Sequence, residues 1–377
     1  MRCRVYNPFR DSETPPLTPD PGPQTPTGKT MKEKSISDLN PDFENMMVQI
    51  LKPRSGGIMF DYTRETKPFA LFHFSDIHAD VPAFKRLAEF YAEYEKYFDC
   101  AVCTGDLVDS SHLEGFDFWV SVPGHEKFMI AVGNHDALRD HKDWKIGDAV
   151  WEDQISMAEC YDTYFAPFID KWGVVYEPGK TYYYKDFDEK KVRFIVIDGT
   201  LRASQDPAAE EAQLLWFKSR LEGAKEKDYT AVAANHFPVT DSLGVKCNFT
   251  ESPKRADGWY REFVRYQEAV DGYMKSGGKF ACWIGGHDHC DYLCYNINYP
   301  EQLDICVNAA SPWQCEVYSA VVRAEGLKCR DLANALVVDT STETLKLLRI
   351  GADSDSMMVQ RHGLVISYKT KEIINQY

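Results

Sequence analysis

The sequence predicts an α/β protein whose functional residues stand on turns at strand ends. Three observations lead there. Seven short apolar runs read as strands and are interleaved with segments of helical spacing. Five of those runs end in a cluster of Asp, His or Asn. The end of the chain reads as two β-hairpins.

Taken in order, Asn7 to Thr30 ("PPLTPDPGPQTPTG" at its centre) is rich in proline, threonine and aspartate and has too little apolar surface to order itself. Residues 1–40 are therefore expected as a disordered proline-rich arm, a tail or an attachment segment. A lead-in stretch over 41–67 follows, with a short helix from Pro41 to Leu51. "PFALFHFSDIH" is an apolar, aromatic run closing on polar residues, which reads as a buried strand. Pro82 to Phe98 then carries Phe84, Leu87, Phe90, Tyr91 and Tyr94 at helical spacing. Further strands are "CAVCTGD", "FMIAVGNHD", "VRFIVIDG", "YTAVAANHFP", "FACWIGGHDH" and "LDICVNAAS". Pro207 to Ala224 and Trp259 to Met274 read as helices between them. "ALVVDTSTETLKLLRIG" and "GLVISYKTKEII" are the two terminal hairpins. Asp140 to Tyr176 and Thr240 to Gly258 are long insertions with no readable pattern, and there is no internal repeat.

Composition narrows the function classes. The formal charge of −15 over 377 residues repels a nucleic-acid backbone, so no general nucleic-acid partner is expected. Eleven cysteines, an odd and scattered set, do not form a secreted disulfide framework. No apolar run suits a signal peptide or a membrane span, so a cytoplasmic location is expected. The sequon at Asn248 is read as chance.

In open α/β sheets, sites form outside the carboxyl ends of strands. The clusters there are Asp76-Ile77-His78, Gly105-Asp106-Leu107-Val108-Asp109, Gly133-Asn134-His135-Asp136, Asn235-His236 and Gly286-His287-Asp288-His289. Half of the ten histidines lie in them, so the chemistry is concentrated at these five turns. Asp76 and His78, like His287 and His289, are two apart, and in extended backbone each pair faces one side.

The order D-x-H, G-D-x-x-D, G-N-H-D, H, G-H-x-H resembles the calcineurin-like metallophosphoesterases. The motifs run from Asp76 to His289, and the likeness extends over about 68–351 as a catalytic domain, leaving 352–377 as a C-terminal hairpin extension. The resemblance implies a β-sandwich of two mixed sheets flanked by helices, in four αββα layers, with two metals at its edge. It implies that Asp76, His78, Asp106 and His289 hold one ion, that Asp106, Asn134, His236 and His287 hold the other, and that Asp106 bridges them. Two divalent ions roughly 3.5–4 Å apart repel by about 20 kcal/mol even at an effective dielectric of about 20, so anions must stand between them. The implied chemistry is hydrolysis of a small phosphomonoester or phosphodiester, with a metal-bridging hydroxide attacking phosphorus and His135 as general acid. The resemblance also implies that Asp109 orients His135, and Asn134 and Arg139 are candidate phosphate contacts. The donor set has no thiolate, which suits Mn, Fe or Zn.

Two departures refine this. Serine/threonine protein phosphatases carry Arg after G-D-x-x-D and Glu after G-N-H, where this chain has Ser110 and Asp136. Purple acid phosphatases use a metal-binding tyrosine after G-D-x-x, which neither Val108 nor Asp109 supplies. A reading of another class keeps the fold as a scaffold or binding protein of a phage particle or cell-surface complex. Such scaffolds usually lose ligands or the acid histidine, and none is missing here. Cys100-x-x-Cys103 lies in a strand, where residues three apart face opposite ways, so buried structural thiols are expected rather than a redox or zinc pair. Cys290 and Cys294 are likewise read as packing and His73 as core. His112, His125, His141 and His362 are read as loop residues, with His112 and His141 near enough to the motifs to touch substrate. Trp144, Trp151, Trp259 and Trp313 are read as core or lid.

Overall fold

The structure is a computed structural model that describes residues 42–51, 68–108, 113–138, 154–201, 206–239, 259–289, 291–295, 299–307, 309–311, 331–351 and 363–376. The arm expected over 1–40 and the insertion over 240–258 lie outside these residues. All described residues belong to one unit spanning 34–377.

The described strands are β1 (Phe69–Phe74), β2 (Cys100–Cys103), β3 (Phe128–Ile130), β4 (Val175–Tyr176), β5 (Tyr183–Phe187), β6 (Val192–Val196), β7 (Thr230–Ala234), β8 (Lys279–Gly285), β9 (Tyr292–Tyr295), β10 (Leu303–Cys306), β11 (Leu332–Asp339), β12 (Thr344–Gly351), β13 (Gly363–Ser367) and β14 (Ile373–Gln376). They form two seven-stranded sheets, ordered β14-β13-β12-β11-β1-β2-β3 and β4-β5-β6-β7-β8-β10-β9. Both sheets are mixed. β1, β2 and β3 run parallel, while β11 to β14 are antiparallel neighbours on the other side of β1. In the second sheet β6, β7, β8 and β10 run parallel, with antiparallel strands at both edges.

Parallel neighbours need crossovers, and helices supply them. The longer helices are α1 (Phe43–Leu51), α2 (Val81–Tyr94), α3 (Leu113–Ser121), α4 (Pro207–Glu226) and α5 (Trp259–Lys275). α2 and α4 start alike. Asp80 accepts from the Ala83 amide at 3.0 Å and Asp206 from the Ala209 amide at 2.9 Å, each with proline in the first turn. α2 buries Phe84, Leu87, Phe90 and Tyr91. Phe72 and Phe74 of β1 meet that aromatic face, with Phe72–Tyr91 ring centres 5.4 Å apart.

Strand alternation sorts the second sheet into two cores. Phe194, Val196, Val232 and Ala234 join the large core shared with the first sheet. Ile195, Ile197, Ala231 and Ala233 pack with Leu214, Phe217 and Phe263 of α4 and α5. The expected fold class, two mixed sheets flanked by helices, is what the chain adopts. No described helix is long and apolar enough to cross a membrane.

Four elements depart from the sequence reading. β4 and β5, β9 and α3 were not anticipated. The described part of the first insertion holds a helical turn at Met157–Cys160 and a π-helical turn at Tyr161–Phe165. It buries Tyr164, Phe165 and Trp172, so that part of the insertion belongs to the core.

Candidate metal centre

The five clusters follow β1, β2, β3, β7 and β8, so three come from one sheet and two from the other. Backbone bonds lock the first turns together. The amides of Asp76, His78 and Ala79 donate to the carbonyls of Gly105, Asp106 and Leu107 at 3.0, 2.9 and 2.8 Å. Gly105 holds φ +99°, and a Cβ there would lie 2.6 Å from His236 Nδ1, so this turn closes only around glycine. A Cβ at Gly286 would meet Ser75 Oγ at 1.9 Å and Asp76 Oδ2 at 2.4 Å, which shows how closely the turn after β8 presses on the turn after β1.

The expectation that Asp76/His78 and His287/His289 share a side through extended backbone is not met. Asp76, His78, Asp106, His287 and His289 all have left-handed φ, between 47° and 69°. The strands end before these residues, and tight turns aim the side chains inward. Non-glycine residues hold such backbone only where the surroundings over-determine it, as at functional sites.

The side chains meet in two groups that share one carboxylate. Single ligand atoms from Asp76, His78, Asp106 and His289 all lie within 4.8 Å of one another, as do atoms from Asp106, His236 and His287. His289 Nε2 is 3.2 Å from Asp76 Oδ1 and 3.1 Å from His78 Nε2. His236 Nε2 is 3.2 Å from Asp106 Oδ2 and 3.1 Å from Asn134 Oδ1. Asp106 is 1% exposed, so the shared carboxylate cannot rely on solvent.

This donor set fits metal ions. His236 Nδ1 lies 2.7 Å from the Thr104 carbonyl, which can only accept, so Nδ1 carries the proton. With Nδ1 protonated, Nε2 is the ring atom turned toward the Asp106 and Asn134 oxygens, where it can ligate a metal ion. Electrostatics gathers positive charge around the shared carboxylate. Burial alone would raise the Asp106 carboxyl, yet the His236, His135 and His78 rings prevail and hold it well below its usual range. Burial would depress His236, but the Asp106 carboxylate overrides it and lifts the imidazole to about 9.

His135 is half-buried at the rim. Its amide donates to Asp106 Oδ1 at 2.9 Å, and its ring centre is 4.7 Å from that of His78. Asp109, Arg139, His112 and His141 lie outside the described residues, as do Cys290, Trp144, Trp151, Trp313 and His362. His73 is buried, with Nε2 2.9 Å from Thr104 Oγ1, and Cys100 and Cys103 are buried free thiols.

Sequence reasoning gave Asp136 no role. Its buried carboxylate accepts from the amides of Gly133 at 2.8 Å, Leu107 at 2.8 Å and Val108 at 3.1 Å. Asp106 takes the His135 amide in return, so the turns after β2 and β3 clamp each other through a pair of carboxylates. Burial, then the nearby Asp106 charge, push Asp136 up to about 7. Its place one residue after a site histidine was the available signal.

A sandwich of two mixed sheets, with an Asp/His cluster at the carboxyl ends of strands from both, defines a metal-dependent phosphoesterase class. The model of the calcineurin-like phosphoesterase family matches residues 69–291, and the chain belongs to that family. No curated protein matches it in sequence. Among solved structures it is similar to a dimetal phosphatase from Danio rerio, at 12% identity and TM-score 0.47 over 80% of this chain and 99% of that one. It is also similar to the purple acid phosphatase PPD1 from yellow lupin (Lupinus luteus) seeds, at 12% and 0.47 over 84% and 55%. A third is the phosphopantetheinyl hydrolase PptH from Mycobacterium tuberculosis, at 15% and 0.33 over 66% and 92%. The assignment rests on the family match and the donor geometry, not on these distant likenesses.

Proposed function

We propose that this protein hydrolyses a small phosphomonoester or phosphodiester at a dinuclear metal centre. Asp76, His78, Asp106 and His289 would hold one ion, and Asp106, Asn134, His236 and His287 the other. Mn, Fe or Zn suit these nitrogen and oxygen donors. Two such ions supply Lewis acidity toward phosphoryl oxygens and an activated water near neutral pH.

The chain's own groups do the rest. Asp106 would shield the ions from each other, and its place in both ligand groups is the observation that carries the reading. Asn134 offers an amide that can also touch the phosphate, and Arg139 would contact its outer oxygens. His135, half-buried where a leaving group can reach it, donates the proton to the departing oxygen. Asp109 would keep that ring oriented and charged. The chain's excess of acidic groups disfavours polynucleotide substrates.

The test is hydrolysis of bis-p-nitrophenyl phosphate and a panel of monoesters with added Mn²⁺. Losing second-shell partners alone costs about 10–100-fold, so Asp106→Asn is expected to lose more than that. His135→Ala is expected to keep its metals and to slow by about 10²-fold or more, most for poor leaving groups. Equal loss for all leaving groups would remove His135 from the acid role. No turnover of any ester by metal-loaded protein would sink the enzyme reading and leave the scaffold.

A further inference from the structure

Behind the ligand turns lies a row of buried polar residues. His73 pairs with Asn334 across β1 and β11, and Asn334 with Arg349 across β11 and β12. Directly opposed residues share a face of the sheet. His73 alternates in step with Phe69, which packs on Phe187 of β5, so the row points between the sheets. The Arg349 side chain is 3% exposed, and its Nη2 donates to Oδ1 of Asp291. Its Nε and Nη1, and Oδ1 of Asn334, have no hydrogen-bond partner among the described residues. A methionine or leucine would fill this space without stranding donors, so packing alone does not account for an arginine here.

Asp291 stands two residues beyond His289. The turn after β8 holds left-handed backbone at His287 and His289. Its start is tied down, with the Gly286 amide on the His236 carbonyl at 2.9 Å and the His287 amide on Asp76 Oδ2 at 3.0 Å. Its far side meets the Arg349 guanidinium.

We propose that Arg349 is a positioning residue of the metal centre, which holds Asp291 and thereby sets where His289 presents its imidazole. The inference rests on the dinuclear reading above. It assigns Arg349, from a strand beyond the family-matched residues, an unequal influence on the two ions. The ion at Asp76, His78, Asp106 and His289 depends on it. The ion at Asp106, Asn134, His236 and His287 does not, because His287 is anchored separately.

The test is Mn²⁺ titration by calorimetry, with metal analysis, on wild type, Arg349→Met, Arg349→Lys and His289→Ala. Wild type is expected to take up two ions. Arg349→Met is expected to weaken one site by about tenfold or more, the same site that His289→Ala removes, with the other unchanged and kcat recovering at saturating Mn²⁺. Arg349→Lys, which keeps the charge, is expected to stay within about threefold of wild type. Two affinities that hold or fall together in folded Arg349→Met protein would overturn the proposal. If that variant does not fold, Asp291→Asn carries the same expectation and the same overturning result. A wild type that binds fewer than two ions would overturn the functional reading, and this inference with it.

Discussion

His73 shows how one residue records its surroundings. Burial, and then the Arg349 charge, depress its imidazole to about 3, against a smaller opposite pull from Asp76. The ring is therefore neutral in the folded protein, while in the unfolded chain it titrates near 6.5. A depressed folded pKa means that stability is whole above about 6.5 and falls as pH drops from there toward 3. Wild type is thus expected to lose more stability between pH 7 and pH 5 than His73→Gln, measured by urea unfolding at both values. Identical losses would show that this ring does not couple to folding. That His73 is core was legible from its place inside an apolar strand. The left-handed turns at Asp76 and His287 were not legible, because Asp and His tolerate positive φ better than most residues but only the pressure of neighbouring turns imposes it.

At the scale of elements, strand alternation had the most predictive power. Cys100 and Cys103 lie on opposite faces of β2, and burial pushes both thiols up, as it does those of Cys160, Cys282 and Cys306. These five cysteines are free and buried, so they are expected to resist alkylation until the protein unfolds. Iodoacetamide labelling with peptide mapping checks this, and prompt native-state labelling of Cys100 or Cys103 would contradict it. The helices α2 and α4 were legible through their apolar spacing and their Asp and Pro starts. β4 was not, since Val175 is exposed, Tyr176 only edges the core, and both owe their strand form to pairing with β5. β9 likewise depends on pairing with β10.

For the whole molecule, the C-terminal hairpin matters more than an appendage would. β13 pairs with β12 and extends the first sheet, burying Leu364, Val365, Ile366 and Tyr368. Its turn reaches the second sheet. Tyr295 donates to the Lys371 carbonyl at 3.2 Å, and Lys371 donates to the Glu301 carbonyl at 2.7 Å. Each large apolar side chain so buried contributes roughly 1.5–3 kcal/mol as an upper estimate. Deleting residues 363–377 is therefore expected to lower the thermal midpoint clearly and to leave β12 as an open edge prone to self-association. Calorimetry and light scattering on the truncated protein test this. An unchanged midpoint with a monodisperse solution would show the hairpin to be dispensable.

The sequence by itself determined which residues would stand at strand ends, because apolar runs and the polar, glycine-bearing turns that close them are local features of the chain. It also determined the family, because five motifs kept their order. Only the tertiary structure decided that β1, β2 and β3 bring their turns from one sheet while β7 and β8 bring theirs from another. It alone decided that Asp106 faces both histidine groups, and that Arg349, sixty residues beyond His289, reaches the turn that carries it. Strand partners and cross-sheet contacts are chosen by hydrogen bonding and burial between distant segments, and no local pattern encodes that choice.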